Sequence, residues 1–398
     1  MSKPRIAVVS PFLDKRHGTE RSVVECMERL SSDYDIHVYS NRVEDIDLNT
    51  ITWHLVPSLP GPHLIGYIWW FLANHCRRWW DRRFRGLIPD VVFSPGINCL
   101  DADAIHVHIV FAERREQMRE QLRFRGNPWN TWHEILHRRI YYGLIVSLEK
   151  RIYPAPNVPL VVVSHKTVED LSRYYSRTVN VQVAYHGLDL ERFQPARMEA
   201  LRVEARRTLA LPPDHFVLLL IGNDWKCKGL SCVLDAVGHL GDPCLRVLVV
   251  GRDNPAPFQD AIHRHDLAGR VHFLPPRSDV EFYYAAADTY VSPSLEDSFG
   301  LPPAEAMACG LPVVTSRFAG VAEIVTSGED GFVLDQPSDF LALADILRRL
   351  RIDPDYRRHI GRNAVHTAGK LTWENTAEHI RSAWEQARAL KQKSSANK

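Results

Sequence analysis

Apolar residues in this chain fall in short continuous runs, not in strict alternation. Runs rich in Val, Ile and Leu stand at residues 5–10, 35–40, 51–56, 91–94, 104–108 and 160–164. A second series stands at residues 216–221, 245–251, 271–274, 289–292 and 312–315. Stretches with helical spacing separate many of them. Strands that are apolar on both faces belong to buried parallel sheets, with helices covering each side. Two such series predict an α/β protein built from two Rossmann-like, doubly wound domains. Residues 185–195, YHGLDLERFQP, carry no strong periodicity and mark the expected break. The expected domains are therefore residues 1–190 and 191–372, with 373–398 as a closing segment. Residues 373–389 read as an amphipathic helix, and residues 392–398 as a polar, frayed end.

The 398 residues exceed one usual domain, and 45% hydrophobic content is enough to fill two cores. A net charge of +1 supplies no global field toward nucleic acid or membrane. Seven dispersed cysteines without a CxxC pair predict reduced thiols in a cytosol, not a disulfide framework or a zinc site. The N-terminus runs straight into a strand, so no signal peptide is expected. The longest apolar run, residues 64–73, is shorter than the roughly 20 residues a membrane span needs.

Candidate chemistry concentrates in residues 291–309, VSPSLEDSFGLPPAEAMAC. The pattern is strand, loop, helix, with Leu301 or Pro302 opening the helix. Asp297 and Glu305 bracket the loop, and the amides of Ser298, Phe299 and Gly300 stand near a helix N-terminus, where anions bind. Acids beside anion-binding amides suit a ligand with both hydroxyls and phosphates, such as a sugar nucleotide. The spacing alone equally allows an ordinary strand–helix turn with two solvated carboxylates.

Residues 292–314 resemble the E-x7-E signature of retaining glycosyltransferases of family 4, which have the GT-B fold. The first acid here is Asp297, one carbon shorter than the usual Glu. The resemblance implies two Rossmann-like domains facing a cleft, an acceptor-binding first domain and a nucleotide-sugar-binding second. The last helix would cross back to the first. Similar proteins include transferases of cell-surface polysaccharide and of the lipopolysaccharide core. Residues 219–230, LLIGNDWKCKGL, resemble the family's phosphate loop, with Gly222 and Lys228 in place and Asn223 where an Arg usually stands. Lys226 and Arg252 are further cations near it.

Residues 17–21, HGTER, resemble the family's GGxER loop and keep Gly18, Glu20 and Arg21, with His17 for the first Gly. Read without the family, they are a helix start with Thr19 as cap. Residues 104–108, AIHVH, resemble a segment whose second histidine sits near the reacting sugar, which is His108 here; His106 should share its face. Residues 271–278 resemble the segment whose backbone meets the nucleobase at Leu274, with Pro275 for a usual Gly. Residues 319–325 resemble the turn after the signature helix, with Gly320 serving the turn and Glu323 structural.

The implied function is retaining transfer of a hexose from a UDP- or GDP-sugar to a hydroxyl of a glycan or lipid-linked acceptor. Glu305 would take the ribose hydroxyls, Asp297 and the Ser298–Leu301 amides the sugar and phosphate, and Lys228 the diphosphate. The family implies front-face attack without a protein nucleophile. No carboxylate pair is placed for a metal, and no dinucleotide or P-loop motif appears, so no metal and no cofactor are expected. The alternatives are a GT-B sugar-nucleotide epimerase and a non-catalytic or degenerate sugar-nucleotide-binding protein. Residues 63–86 hold four Trp and five Arg against one Asp, and residues 114–153 are a second basic, aromatic region. That composition suits peripheral contact with the anionic inner face of a membrane, or equally a helix buried on its own domain with a basic outer face. Nucleic acid is not an expected partner.

Overall fold

The structure, a computed structural model, describes residues 3–16, 18–61, 63–119 and 132–396. The chain forms two compact units, Met1–Tyr185 together with Trp373–Lys398, and His186–Thr372.

The first unit carries a seven-stranded sheet in the order Thr52–Leu55, Asp35–Ser40, Arg5–Val9, Val91–Pro95, Ala104–Val107, Leu160–Val162 and Val181–Val183. All of its pairs are parallel. The second carries a six-stranded sheet in the order Val271–Leu274, Leu245–Val250, Phe216–Ile221, Thr289–Ser292, Val313–Ser316 and Phe332–Leu334, again all parallel. In both, the first strand of the unit lies inside the sheet and winding reverses beside it. Such a reversal leaves a crevice at the carboxyl ends of the two strands that flank it, where ligands of these sheets bind. In the second unit those strands are Phe216–Ile221 and Thr289–Ser292.

The central strands show why period-two patterning is missing. Val217, Leu218, Leu219 and Leu220 are all buried, because helices cover both faces. Helix Leu230–Leu240 buries Leu230, Val233, Leu234 and Val237 in the same core. Each such side chain contributes about 1.5–3 kcal/mol. The closing helix runs Trp373–Ala396, so residues 392–396 continue it where the sequence pattern expected fraying. It packs Ala377, Ile380, Ala383, Trp384 and Ala387 into the core of the first unit. Trp384 meets Tyr34 and Phe93 edge-on, with ring centroids at 5.2 and 5.5 Å.

Helix His63–Arg85 lies on the first sheet through Trp70, Ala73, Asn74 and Asp81. Trp70 Nε1–H donates to the carbonyl of Asn98 at 2.8 Å. The buried Asp81 carboxylate faces the His54 ring at 3.1 Å and Arg77 at 3.2 Å. Burial lowers the His54 pKa to about 4 despite the pull of Asp81, so this imidazole is neutral at pH 7. Among the described residues no helix is long and apolar enough to cross a membrane. All seven cysteines are free thiols.

Candidate active site

Two loops at the crevice of the second sheet hold most of the candidate residues. After Phe216–Ile221 the chain turns through residues 222–229 into helix Leu230–Leu240. Gly229, the N-cap, has a left-handed φ of 80°, and a Cβ there would stand 2.2 Å from the carbonyl oxygen of Pro293. Only glycine lets the two loops pack backbone to backbone in this way. Leu295 N–H ties them further by donating to the Cys227 carbonyl at 2.7 Å. The stem of Lys228 crosses Gly222 so closely that a Cβ on Gly222 would be 3.0 Å from Lys228 Cε. Trp225 anchors the turn below: its backbone N–H donates to Asp253 Oδ2 at 2.9 Å, and its buried ring lies 5.0 Å from Phe273.

The second loop follows Thr289–Ser292. Asp297 N–H donates to the Phe318 carbonyl at 3.1 Å, and its own carbonyl accepts from Gly320 N–H at 2.9 Å. Phe299 carbonyl accepts from Val321 N–H at 2.6 Å, so the turn containing Gly320 braces this loop. Gly300, with φ 94°, caps helix Leu301–Ala308, and Pro302 and Pro303 fit its first turn.

The two loops meet in an ion pair. Lys228 Nζ donates to Asp297 Oδ2, and both side chains are mostly enclosed. Burial works against the ammonium, but the charge and hydrogen bond of Asp297 outweigh it, with Cys227 and Glu296 adding to the effect. The Lys228 pKa is thereby raised above the ordinary lysine range, so the charge persists at neutral pH. Glu296, beside Asp297, is buried and accepts from Ser298 Oγ at 3.4 Å. Glu305 is buried one turn into the helix, near the positive end of its dipole, and accepts from Tyr284 Oη at 2.8 Å. Burial, together with the Glu305 charge, pushes the Tyr284 phenol well up and keeps it a donor. Neither acid of the bracket is therefore the solvated carboxylate of an ordinary turn.

Two other candidates have their backbone or side chain engaged locally. Asn223 Oδ1 accepts from Arg252 N–H at 3.0 Å, which fastens one βα turn to the next. Leu274 ends its strand, and its carbonyl accepts from Gly251 N–H at 3.0 Å. No sequence pattern singles out His186, whose buried ring meets Phe299 edge-on at 5.4 Å. Nor does one single out Tyr284, which reaches Glu305 from 21 positions away.

In the first unit, strand Ala104–Val107 ends one residue before His108. His106 and His108 are both buried on one face, with ring centroids 3.9 Å apart. Gly18 opens helix Gly18–Leu30, so Thr19 is inside the first turn and is not its cap. Arg21 lies over the Trp373 ring at 5.8 Å. His17 lies outside the described residues. Among the described residues one group has metal-ligand proximity: Asp214, His215 and Cys244, with ligand atoms within 4.8 Å of one another. It precedes strands Phe216–Ile221 and Leu245–Val250 and so stands at the opposite edge of the sheet from Lys228. A recess of about 690 Å³ bordered by Lys3, Arg5, Asp35 and Asp90 likewise lies at the amino-terminal edge of the first sheet, apart from His108.

Residues 202–367 match the family model for Glycosyl transferases group 1. A D-inositol 3-phosphate glycosyltransferase of Thermobifida fusca is 33% identical over 234 residues, 54% of this chain and 52% of that protein. One of Streptomyces bingchenggensis is 34% identical over 235 residues, 55% of this chain and 50% of that protein. The chain thus spans about half the length of the curated relatives it matches. Among solved structures it is similar to WaaG, a glycosyltransferase involved in lipopolysaccharide biosynthesis. The TM-score is 0.73 and the identity 20%, over 95% of this chain and 98% of that one. Sucrose-phosphate synthase of Thermosynechococcus elongatus gives 0.75 and 20%, over 97% and 100%. Anabaena HepE in complex with UDP-glucose gives 0.70 and 19%, over 96% and 99%. Residues 202–367 thus match the Glycosyl transferases group 1 family, and the chain has the GT-B fold.

Proposed function

We propose that this chain is a retaining, metal-independent glycosyltransferase that moves a hexose from a UDP- or GDP-sugar to a hydroxyl of a glycan or lipid-linked acceptor. The observation that carries the reading is the Lys228–Asp297 ion pair joining two loops at the crevice of a doubly wound sheet, with Glu305 on the helix that follows the second loop, all inside the matched domain. HepE was solved with UDP-glucose, which supports a donor of that class.

The roles follow from charge. Glu305, held by Tyr284, accepts from the ribose hydroxyls. Lys228 faces the diphosphate. Asp297 holds that ammonium until the donor phosphates arrive, then turns its carboxylate to the sugar. The Ser298, Phe299, Gly300 and Leu301 amides, at the start of a helix, add partial positive charge. As the glycosidic bond breaks, the leaving diphosphate gains charge, and preorganised donors stabilise it most at that moment. A donor phosphate oxygen takes the acceptor proton on the front face. In the first unit His108 serves the reacting sugar, and the backbone of Gly18 and Thr19 serves the donor phosphate. Peripheral contact with an anionic membrane would bring the enzyme to a lipid-linked acceptor, on the cytoplasmic side.

Release of nucleoside diphosphate from UDP- and GDP-sugars tests the reaction class, run with and without EDTA. We expect turnover to be unchanged by EDTA, because a lysine and amides, not a carboxylate pair, face the diphosphate. Loss of turnover with EDTA and its return with Mg²⁺ or Mn²⁺ would overturn the metal-independent reading.

A further inference from the structure

Helix His63–Arg85 buries one face and leaves the wrong residues on the other. Ile65, Ile68, Trp69, Leu72, Trp79 and Trp80 are all exposed, from 37% for Trp69 to 59% for Leu72. Their spacing follows a single helical stripe along nearly the whole helix. Isolated exposed apolar residues need no explanation, but a continuous stripe of this length does. Its opposite face is held by Trp70 and Asn74, which donate to the Asn98 carbonyl, and by Asp81 against His54, so rotation of the helix cannot hide it.

A second helix continues the pattern. In Trp132–Ile152, Trp132, Leu136 and Ile140 are exposed at successive four-residue steps. The two helices touch through Tyr67 and Tyr141, whose rings meet edge-on at 5.5 Å. Both belong to the first unit.

The charges beside the stripe have one dominant sign. The one acid in helix His63–Arg85 is Asp81, fully buried and faced by Arg77 and Arg85. Arg82, Arg83 and Arg85 are exposed at the end of the stripe, and Arg138 and Arg139 are exposed on the second helix. Apolar aromatics in a row with arginines at the margin fit the boundary between acyl chains and anionic headgroups.

We infer that these two helices form an in-plane docking face for an anionic lipid surface, with Leu72, Trp79 and Trp80 entering the acyl boundary and the arginines meeting headgroup phosphates. This deepens the peripheral-membrane part of the proposal above and is independent of the transferase chemistry. It also identifies which residues act. Arg78 is held bidentate by Asp101 at 2.7 and 2.8 Å and contributes little to lipid binding.

Co-sedimentation with phosphatidylcholine vesicles, with and without phosphatidylglycerol, tests it at low and high salt. Three proteins are compared: wild type, Leu72→Glu/Trp79→Glu/Trp80→Glu, and Arg82→Gln/Arg83→Gln/Arg85→Gln. Wild type should bind the anionic vesicles and keep part of that binding in high salt. The glutamate variant should lose binding by on the order of tenfold or more, because the changed side chains are those that leave water. The glutamine variant should bind more weakly and lose most of its salt dependence. All six changed positions are exposed, so turnover of a water-soluble donor should be the same in all three proteins and separates this inference from the transferase reading. Absent binding by wild type, or equal binding by the glutamate variant, overturns the inference. A wild-type dimer in sedimentation equilibrium that the glutamate variant abolishes also overturns it, because a second copy would then cover the stripe.

Discussion

Lys228→Ala should reduce kcat by about a hundredfold to a thousandfold, with a much smaller change in donor KM. That magnitude is typical for removing one preorganised donor from a developing oxyanion. The reasoning rests on where the charge is worth most. In the free protein Lys228 already has a carboxylate partner, Asp297, and that partner keeps its pKa raised despite burial. Donor binding therefore exchanges one anion for another, and the ground-state gain is modest. In the transition state the diphosphate carries more charge than in the bound donor, and the lysine interacts with it more strongly. Steady-state kinetics at saturating donor check this. A raised KM with unchanged kcat would make Lys228 a ground-state anchor. Lys228→Arg should not restore full activity, because a forked, planar guanidinium does not reproduce the compact ammonium that meets Asp297.

Glu305→Gln should cut turnover by about tenfold to a hundredfold, from the roughly 1.5–3 kcal/mol that a charged hydrogen-bond partner contributes. Its melting temperature should stay close to that of wild type. The amide oxygen of Gln can still accept from Tyr284 Oη, and the side chain has the same volume, so no cavity results and the Tyr284 hydroxyl stays paired. The loss falls on the ribose hydroxyls, which then face a neutral acceptor. Turnover at the wild-type rate with saturating donor would remove Glu305 from the site.

Much of this was legible in the chain. Runs 35–40, 216–221, 271–274 and 289–292 coincide with strands Asp35–Ser40, Phe216–Ile221, Val271–Leu274 and Thr289–Ser292, and in the central strand Phe216–Ile221 burial on both faces demands uninterrupted apolar sequence. The edge strands Val181–Val183 and Phe332–Leu334 were not legible: three residues are too few to stand out from loop. Thr19 looked like a cap because Thr is a good one, but the helix begins a residue earlier at Gly18.

The site shows the same division. The Asp297–Glu305 bracket and Lys228 each have a local pattern. Their pairing spans 69 positions and has no local signal. The same holds for Tyr284 against Glu305 and for His186 against Phe299, which only the folded sheet brings together. Asn223 stands at the expected loop, yet its side-chain oxygen fastens the turn to Arg252. Asp288 illustrates the reverse. Its buried carboxylate, paired with Arg202 and Arg206 at 2.6 Å each, also accepts from Val217 N–H at 2.8 Å, and so holds the start of the strand.

The central claim is that the crevice of the second sheet binds a nucleotide-diphosphate sugar through Lys228, Asp297 and Glu305. Thermal unfolding in the presence of UDP-, GDP-, ADP- and dTDP-sugars tests it most directly. A ligand at a hundred times its Kd adds about 2.7 kcal/mol to the folded state. At least one of the four should raise the melting temperature of wild type, and should raise that of Glu305→Gln clearly less. No shift with any of them, or the same shift in both proteins, would contradict the assignment.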